Sequence, residues 1–199
     1  LILVTHGHGD HIGDTAEISK LTGAKVAMNA DMGHTFASFG WVPYERLIRF
    51  NKSGPIMPLG SGIRITMVHA EHSSEVVHTD PSSKKKTVHP GGEPAGYIIE
   101  LENGFKIYHA GDTGVFTDMK FIAEYYKPDL ALIPIGGHFT MDPAHAAYAI
   151  RTLLKVKKII PMHYGTFPPL KGTPQELKEL LSDFETEIIV MKPGEMRNF

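Results

Sequence analysis

The stretch Leu1-Ile-Leu-Val-Thr-His-Gly-His-Gly-Asp-His-Ile-Gly-Asp14 decides the reading of this chain, because an apolar strand runs straight into His6, His8, Asp10 and His11. Residues two apart on an extended chain project to the same side, so His6 and His8 can converge on one ion. Asp10 and His11, where the strand ends, can turn toward a neighbouring ion. Gly7 and Gly9 keep side chains from between the ligands and permit a turn that β-branched residues resist. Imidazole and carboxylate together suit zinc or another first-row divalent ion, not calcium. A His-rich surface loop or a cloning scar would lack both the strand before it and the helix start after it. Here Asp14 or Thr15 reads as the N-cap of a short helix that Gly23 stops.

A chain of 199 residues, 42% of them hydrophobic, can bury a full core, and it reads as one domain over residues 1–199. The formal net charge of -2 gives no general attraction to nucleic acid or anionic lipid. No apolar run approaches the roughly 20 residues of a membrane-spanning helix, and no signal peptide is visible. Cysteine is absent, so any metal is held by His, Asp or Glu, and a cytoplasmic location is expected. The chain opens on Leu1, inside what reads as a buried parallel strand, so an incomplete sheet is expected at this end.

Strand and helix signals alternate from there. Lys25-Val-Ala-Met28 follows the first helix as a second parallel strand would. Phe36, Phe39, Trp41 and Tyr44 read as core aromatics, with a pocket wall or a homo-oligomer interface as the other use of that segment. Ile63 to Val68 alternates like a half-buried strand, and Thr79 to Pro94, with Lys84, Lys85 and Lys86, reads as a polar mobile loop. Ala95 to Leu101 and Phe105 to His109 flank Asn103-Gly104, which predicts a hairpin closed by a type I′ turn. Asp118 to Tyr126 predicts a helix, Leu130 to Ile135 a buried strand, and Asp142-Pro143 opens a helix to about Lys155. Lys158 to His163 is a further strand, Thr173 to Leu181 a helix, and Glu187 to Met191 the last strand.

His or Asp recurs at the downstream end of these strands: His6 and His8, then His72, Asp112 and His163. Strand ends form the site edge in α/β folds, so residues far apart in sequence can gather in one cleft. The candidate ligands are His6, His8, Asp10, His11, His72, Asp112 and His163. Seven exceed what one zinc takes from protein and match two ions that share a carboxylate.

This pattern resembles the metallo-β-lactamase superfamily. The resemblance rests on Thr5-His-Gly-His-Gly-Asp-His11, Ala70-Glu-His72-Ser, Ala110-Gly-Asp112-Thr and Met162-His163, in that order and over most of the chain. Gly136-Gly-His-Phe-Thr-Met-Asp-Pro143 adds a similarity to its small hydrolases related to ascorbate-phosphate lactonase and N-acylphosphatidylethanolamine phospholipase D. The resemblance implies an α/β, four-layer αββα sandwich whose leading strands would precede Leu1. It also implies His6, His8 and His72 on one ion, Asp10, His11 and His163 on the other, and Asp112 bridging.

Within this resemblance His69 competes with His72, but the family pattern places the ligand just before Ser73. His138, after Gly136-Gly137, can polarise a substrate oxygen or stabilise a leaving group, although a structural role suits the same position. His34, His78, His89 and His145 read as surface or packing residues. The expected cofactor is two divalent metal ions, zinc (Zn2+) first, with manganese, nickel or ferrous iron as alternatives. A bridging hydroxide would attack a carbonyl or phosphoryl centre of a small-molecule substrate, with Asp10 orienting it and shuttling a proton. The ions, two aspartates and a hydroxide leave about +1 at the site, which favours an anionic substrate. A non-hydrolytic metal-binding or di-iron redox protein is the alternative from a different class. No nucleic-acid partner and no membrane insertion are expected.

Overall fold

The computed structural model describes residues 1–60 and 62–199 and contains three sheets. Strands β1 (Ile2–Leu3), β2 (Val26–Asn29) and β3 (Leu47–Phe50) form a parallel sheet in that order. The large mixed sheet is built from β4 (Pro55–Ile56), β5 (Arg64–His69), β8 (Ala95–Glu100), β9 (Lys106–His109), β10 (Leu130–Pro134), β11 (Lys158–Met162) and β12 (Glu187–Ile188). Its order is β12-β11-β10-β9-β8-β5-β4. Strands β6 (Glu75–Thr79) and β7 (Lys86–Pro90) make a separate antiparallel ribbon.

Among the described residues six α-helical segments cover these sheets: α1 (Gly9–Ile12), α2 (Thr15–Thr22), α3 (Ala30–Ser38), α4 (Met119–Phe121), α5 (Pro143–Tyr148) and α6 (Pro174–Leu180). Their ends follow from local chemistry. Gly23 closes α2 at φ 72°. The Asn29 side chain accepts from Met32 N at 2.8 Å to cap α3, and Pro143 follows the Asp142 cap of α5. Thr173 and Glu176 form a reciprocal capping box on α6. Helices α4 and α5 continue as wider π turns, Ile122–Tyr126 and Ala149–Leu154.

Alternation along the strands of the large sheet sorts their side chains into two cores. Val68, Ile98, Tyr108, Ala131, Ile133 and Ile159 pack against Met119, Ile122, Ile150 and Leu177 of the helices. Ile65, Met67, Ala95 and Tyr97 face the other way, against Leu1, Leu3 and Phe50 of the small sheet. A third core sets Met32 and Phe36 of α3 on Val26 and Met28 of β2. The resulting layers are helix, small sheet, large sheet, helix, which is the αββα sandwich. Each fully buried side chain of Ile133 or Phe36 type contributes about 1.5–3 kcal/mol by leaving water. Among the described residues no helix is long and apolar enough to cross a membrane.

Three expectations are corrected. The segment 79–94 is not a loop throughout, because Val76 and Val88 lie in a ladder pairing Glu75 to Pro90. Phe39 stacks on His78 at 4.3 Å and meets His89 edge-on at 4.6 Å, so the aromatic segment is the ribbon's support. The β8–β9 hairpin does form, but its turn is not type I′. Gly104 is left-handed at φ 82° while Asn103 is not among the positive-φ residues, and Gly104 N donates to Leu101 O at 2.8 Å. Asn103 instead accepts from Phe105 N through its side chain, the local bond that a longer loop ending in a left-handed glycine allows. The last strand is also short, only Glu187–Ile188.

Strands β5, β9, β10 and β11 share one direction, so their C-terminal ends lie along one edge. Tyr97 Oη donates to Val4 O at 2.6 Å and Ala95 N donates to Thr5 O at 2.9 Å. These bonds bring the segment after β1 to that same edge.

Candidate metal centre

All seven expected ligands converge there. His6 and His8 leave β1 extended, and His6 Nε2 lies 3.0 Å from His8 Nδ1. Asp10 and His11 sit on the single helical turn α1. His72 follows β5, Asp112 follows β9 and His163 follows β11. One oxygen, Asp112 Oδ2, is the focus: it stands 3.1 Å from His11 Nε2, 3.1 Å from His163 Nε2, 3.7 Å from His72 Nε2 and 3.9 Å from His6 Nε2. Asp10 Oδ2 lies 3.4 Å from His11 Nε2 and 3.5 Å from His163 Nε2. Ligand-capable atoms of His6, His8 and His72 cluster within 4.8 Å, as do those of Asp10, His11 and His163, and those of His6, His11 and Asp112.

The packing is poor chemistry for a site without a cation. Asp112 is 3% exposed, and its Oδ1, together with His11 Nε2 and both ring nitrogens of His163, is buried without a hydrogen-bond partner. Such groups cost about 1–3 kcal/mol each when unmet. Nitrogen lone pairs and carboxylate oxygens that face one another, and no apolar filler, are what divalent ions satisfy. The donor set therefore fits a metal cofactor.

Protonation follows the same geometry. Burial, reinforced by His11, pushes His6 down to about 3, so it stays a neutral imidazole. Burial lowers His72 as well. His163 is raised, chiefly by its contact with Asp112. Burial works against ionising Asp112, but His11 and His163 outweigh it and hold the carboxyl well below the usual range. Behind the cluster, burial and then His11 push His109 down to about 4.

Sequence reading missed the residues that hold the ligands. Thr5 Oγ1 is 3.0 Å from His6 Nδ1, and Glu75 Oε2 and Ser73 Oγ are each 3.2 Å from His8 Nε2. A carboxylate that accepts the Nε2 proton leaves the His8 Nδ1 lone pair facing His6. Gly7 is needed because a Cβ there would lie 2.8 Å from Glu75 O and 2.9 Å from Val76 Cγ2. Gly9, expected to serve the same end, has open space around it. His72, not His69, enters the cluster, for His69 is engaged outside it with Glu71 Oε2 at 3.2 Å and Lys52 Nζ at 3.3 Å.

A cavity of about 550 Å3 opens onto the cluster, lined by His8, Asp10, His72, Asp112 and His163 and by Ser73, Glu75, Phe139 and Phe167. His138 is not brought into it. Its backbone is left-handed at φ 62°, and the ring lines a neighbouring cavity of about 650 Å3 with Asp142 and Lys171. Phe139 takes the position facing the cluster. Glu75 adds a carboxylate to Asp10 and Asp112 in the cavity lining, so the site is one charge more negative than the sequence reading expects.

Residues 1–164 match the family model described as the β-lactamase superfamily domain. The chain belongs to the metallo-β-lactamase superfamily. A UPF0173 metal-dependent hydrolase of Polaromonas sp. (strain JS666) is 56% identical over 199 residues, covering 100% of this chain and 72% of that protein. Its counterpart in Cupriavidus necator is 53% identical over 201 residues, covering 100% and 70%. Among solved structures, Igni18, a metallo hydrolase of Ignicoccus hospitalis, superposes with a TM-score of 0.80 at 39% identity, over 97% of this chain and 76% of that one. This member of the superfamily is thus a metal-dependent hydrolase, and a metal cofactor belongs to its activity.

Proposed function

We propose that this metallo-β-lactamase superfamily member holds two divalent ions, zinc first, and hydrolyses a small molecule at a carbonyl or phosphoryl centre. The observation that carries the reading is the convergence of four imidazole Nε2 atoms on Asp112 Oδ2, flanked by two three-residue clusters. His6, His8 and His72 would hold one ion, Asp10, His11 and His163 the other, with Asp112 between them. When bound, such ions supply water deprotonated near neutral pH and Lewis-acid polarisation of the oxygen at the scissile bond.

The protein's own groups do the rest. His6 and His72, kept neutral by burial, present lone pairs without competition from protons. Asp10 is 40% exposed at the mouth of the cavity, where it can take the proton of the attacking water and return it to the leaving group or to solvent. Phe139 and Phe167 narrow the approach and limit the water that reaches the cluster.

The test is a metal-reconstituted screen setting phosphodiester, lactone, amide and thioester substrates side by side, with metal content measured by mass spectrometry. Two ions per chain and turnover of at least one class are expected. The His6→Ala/His8→Ala double variant should lose both metal and turnover. Turnover persisting in the metal-free variant would overturn the proposal, and one ion per chain at full activity would overturn the two-ion form of it.

A further inference from the structure

We infer that the substrate is an uncharged carboxylic ester or lactone whose apolar group is held between Phe139 and Phe167, and that Glu75 discriminates against anions. This rests on the hydrolytic reading above and narrows it. Three observations carry it.

The first is two exposed phenyl rings beside a polar cluster. Phe139 is 54% and Phe167 49% exposed, yet both line the same cavity as His8, Asp10, His72, Asp112 and His163. Apolar side chains left half in water at the rim of a cleft are the surface a ligand covers, and flat rings recognise flat or extended apolar groups.

The second is that the backbone holds these rings in place. Gly137 at φ 75° and His138 at φ 62° are consecutive left-handed residues, and they turn Phe139 out of line with β10. Gly137 N donates to Met141 O at 2.9 Å, and Met141 N donates to Thr113 O at 3.1 Å, which ties the turn to the residue after Asp112. Left-handed backbone at a residue other than glycine persists where the surroundings fix it, and here it fixes a phenyl ring over the site. Phe167 lies in a turn closed at both ends, by Gly165 N to Leu170 O at 3.0 Å and Leu170 N to Phe167 O at 2.9 Å.

The third is the charge of the walls. Asp10, Glu75 and Asp112 line the cavity, and none of the described lining residues is Lys or Arg. Sites that bind phosphodiesters or carboxylates beside their metal ions commonly add Arg or Lys against the anion. Lys171, on the loop after β11, lines the other cavity with His138. An anion entering beside His8 would face the Glu75 carboxylate, whereas a neutral carbonyl meets no such repulsion. The cavity, about 550 Å3, lies within the roughly 300–1,000 Å3 of small-molecule clefts.

The reaction balances with water alone. The water oxygen bonds to the carbonyl carbon, and its proton passes to Asp10. The bond from that carbon to the alkoxy oxygen breaks, and the alkoxide leaves with the proton. The acid product gives the second proton of the water to solvent, and the resulting carboxylate carries a charge the substrate did not, so Glu75 and Asp10 also favour its departure.

The test uses the metal-loaded protein and four p-nitrophenyl substrates: the pentanoate, the hemiglutarate of similar length that ends in a carboxylate, the acetate, and bis(p-nitrophenyl) phosphate. The expected result is a kcat/KM for the pentanoate at least about tenfold above that for the hemiglutarate. Glu75→Gln should narrow that gap severalfold. Phe139→Ala and Phe167→Ala should each raise KM for the pentanoate about tenfold with less change for p-nitrophenyl acetate. Calorimetry with an unreactive aryl ketone should show Kd rising by the same factor in both Phe variants, and circular dichroism confirms that each is folded. Equal or better use of the hemiglutarate, or unaltered KM and Kd in both Phe variants, overturns the inference. Turnover of the phosphodiester alone overturns it while leaving the hydrolytic reading intact; no turnover of any substrate by the metal-loaded protein overturns both.

Discussion

The apoprotein should lose stability on mild acidification, and the loss can be worked from two buried imidazoles. His6 is pushed down to about 3 and His109 to about 4, in each case mainly by burial. Their ordinary value is about 6.5, which the unfolded chain regains. A histidine whose folded value is depressed excludes the proton that the unfolded chain accepts, so its contribution is whole above about 6.5 and is lost as pH falls toward the folded value. Between pH 7.5 and 5.5 each such group removes about 1.4 kcal/mol, so the pair removes about 3 kcal/mol. His72, also lowered by burial, adds to the loss; His163, raised by Asp112, works against it because its stability grows as it protonates. Asp112 is held ionised through this window and changes nothing. Urea titration of chelator-treated protein reads the effect through the fluorescence of Trp41, the only tryptophan, which packs on Phe36 and Phe39. His109→Gln should roughly halve the slope against pH. An apoprotein as stable at pH 5.5 as at 7.5 would refute the reasoning, since it would mean that these imidazoles are not buried in the neutral form.

Three further outcomes are expected. Gly7→Ala should destabilise by about 1–3 kcal/mol and weaken metal binding, because its Cβ meets Glu75 O at 2.8 Å, whereas Gly9→Ala, with open space around it, should be neutral or slightly stabilising in a melting experiment. Glu75→Ala should weaken metal affinity about 10–100-fold by calorimetry, with Glu75→Gln retaining most of it because the amide oxygen still accepts from His8 Nε2. His138→Ala should keep most of the turnover, since its ring lines the neighbouring cavity; a loss of a hundredfold or more in kcat with metal content intact would restore it to the reaction.

How far the sequence could be read depended on whether a residue's role is local. His6 and His8 were legible because two-residue spacing on an extended chain puts both on one side, and Asp10 and His11 because they follow at once, where the strand ends and the chain can turn. Asp112 and His163 were legible because they end apolar strands, and parallel strands share an edge. Glu75 was not, since its contact with His8 depends on β6 lying against the segment after β1, where Gly7 N donates to Ser74 Oγ across 67 residues. Phe139 and His138 are adjacent, and only the backbone sign at Gly137 and His138 decides which ring faces the cluster. The ribbon was hidden for another reason: lysines and serines dominate residues 80–86, and the support of His78 and His89 by Phe39 is a tertiary contact.

His163 couples the ligand cluster to the walls of the cavity that opens onto it. It is itself left-handed at φ 53°, a backbone state that costs a residue with a side chain roughly 1–2 kcal/mol. Two neighbours hold it there. Ile135 N donates to Met162 O at 3.0 Å, continuing the β10–β11 ladder to the last residue before His163. A Cβ at Gly136 would lie 2.2 Å from His163 O, so the two strand ends can be this close only with glycine at 136. Gly136 begins the turn that places Phe139, and His163 begins the loop that places Phe167. Any change of substrate wall that shifts either loop therefore acts on the same backbone contact that aims the His163 ring at Asp112. His6, His8 and His72 lie off that contact, because the cavity residues beside them, Ser73 and Glu75, belong to the segment entering β6 and not to the loops after β10 and β11. A substitution in residues 135–142 that alters specificity should accordingly disturb the Asp10, His11 and His163 cluster before the other, and measured metal binding should split into one affinity that moves and one that stays.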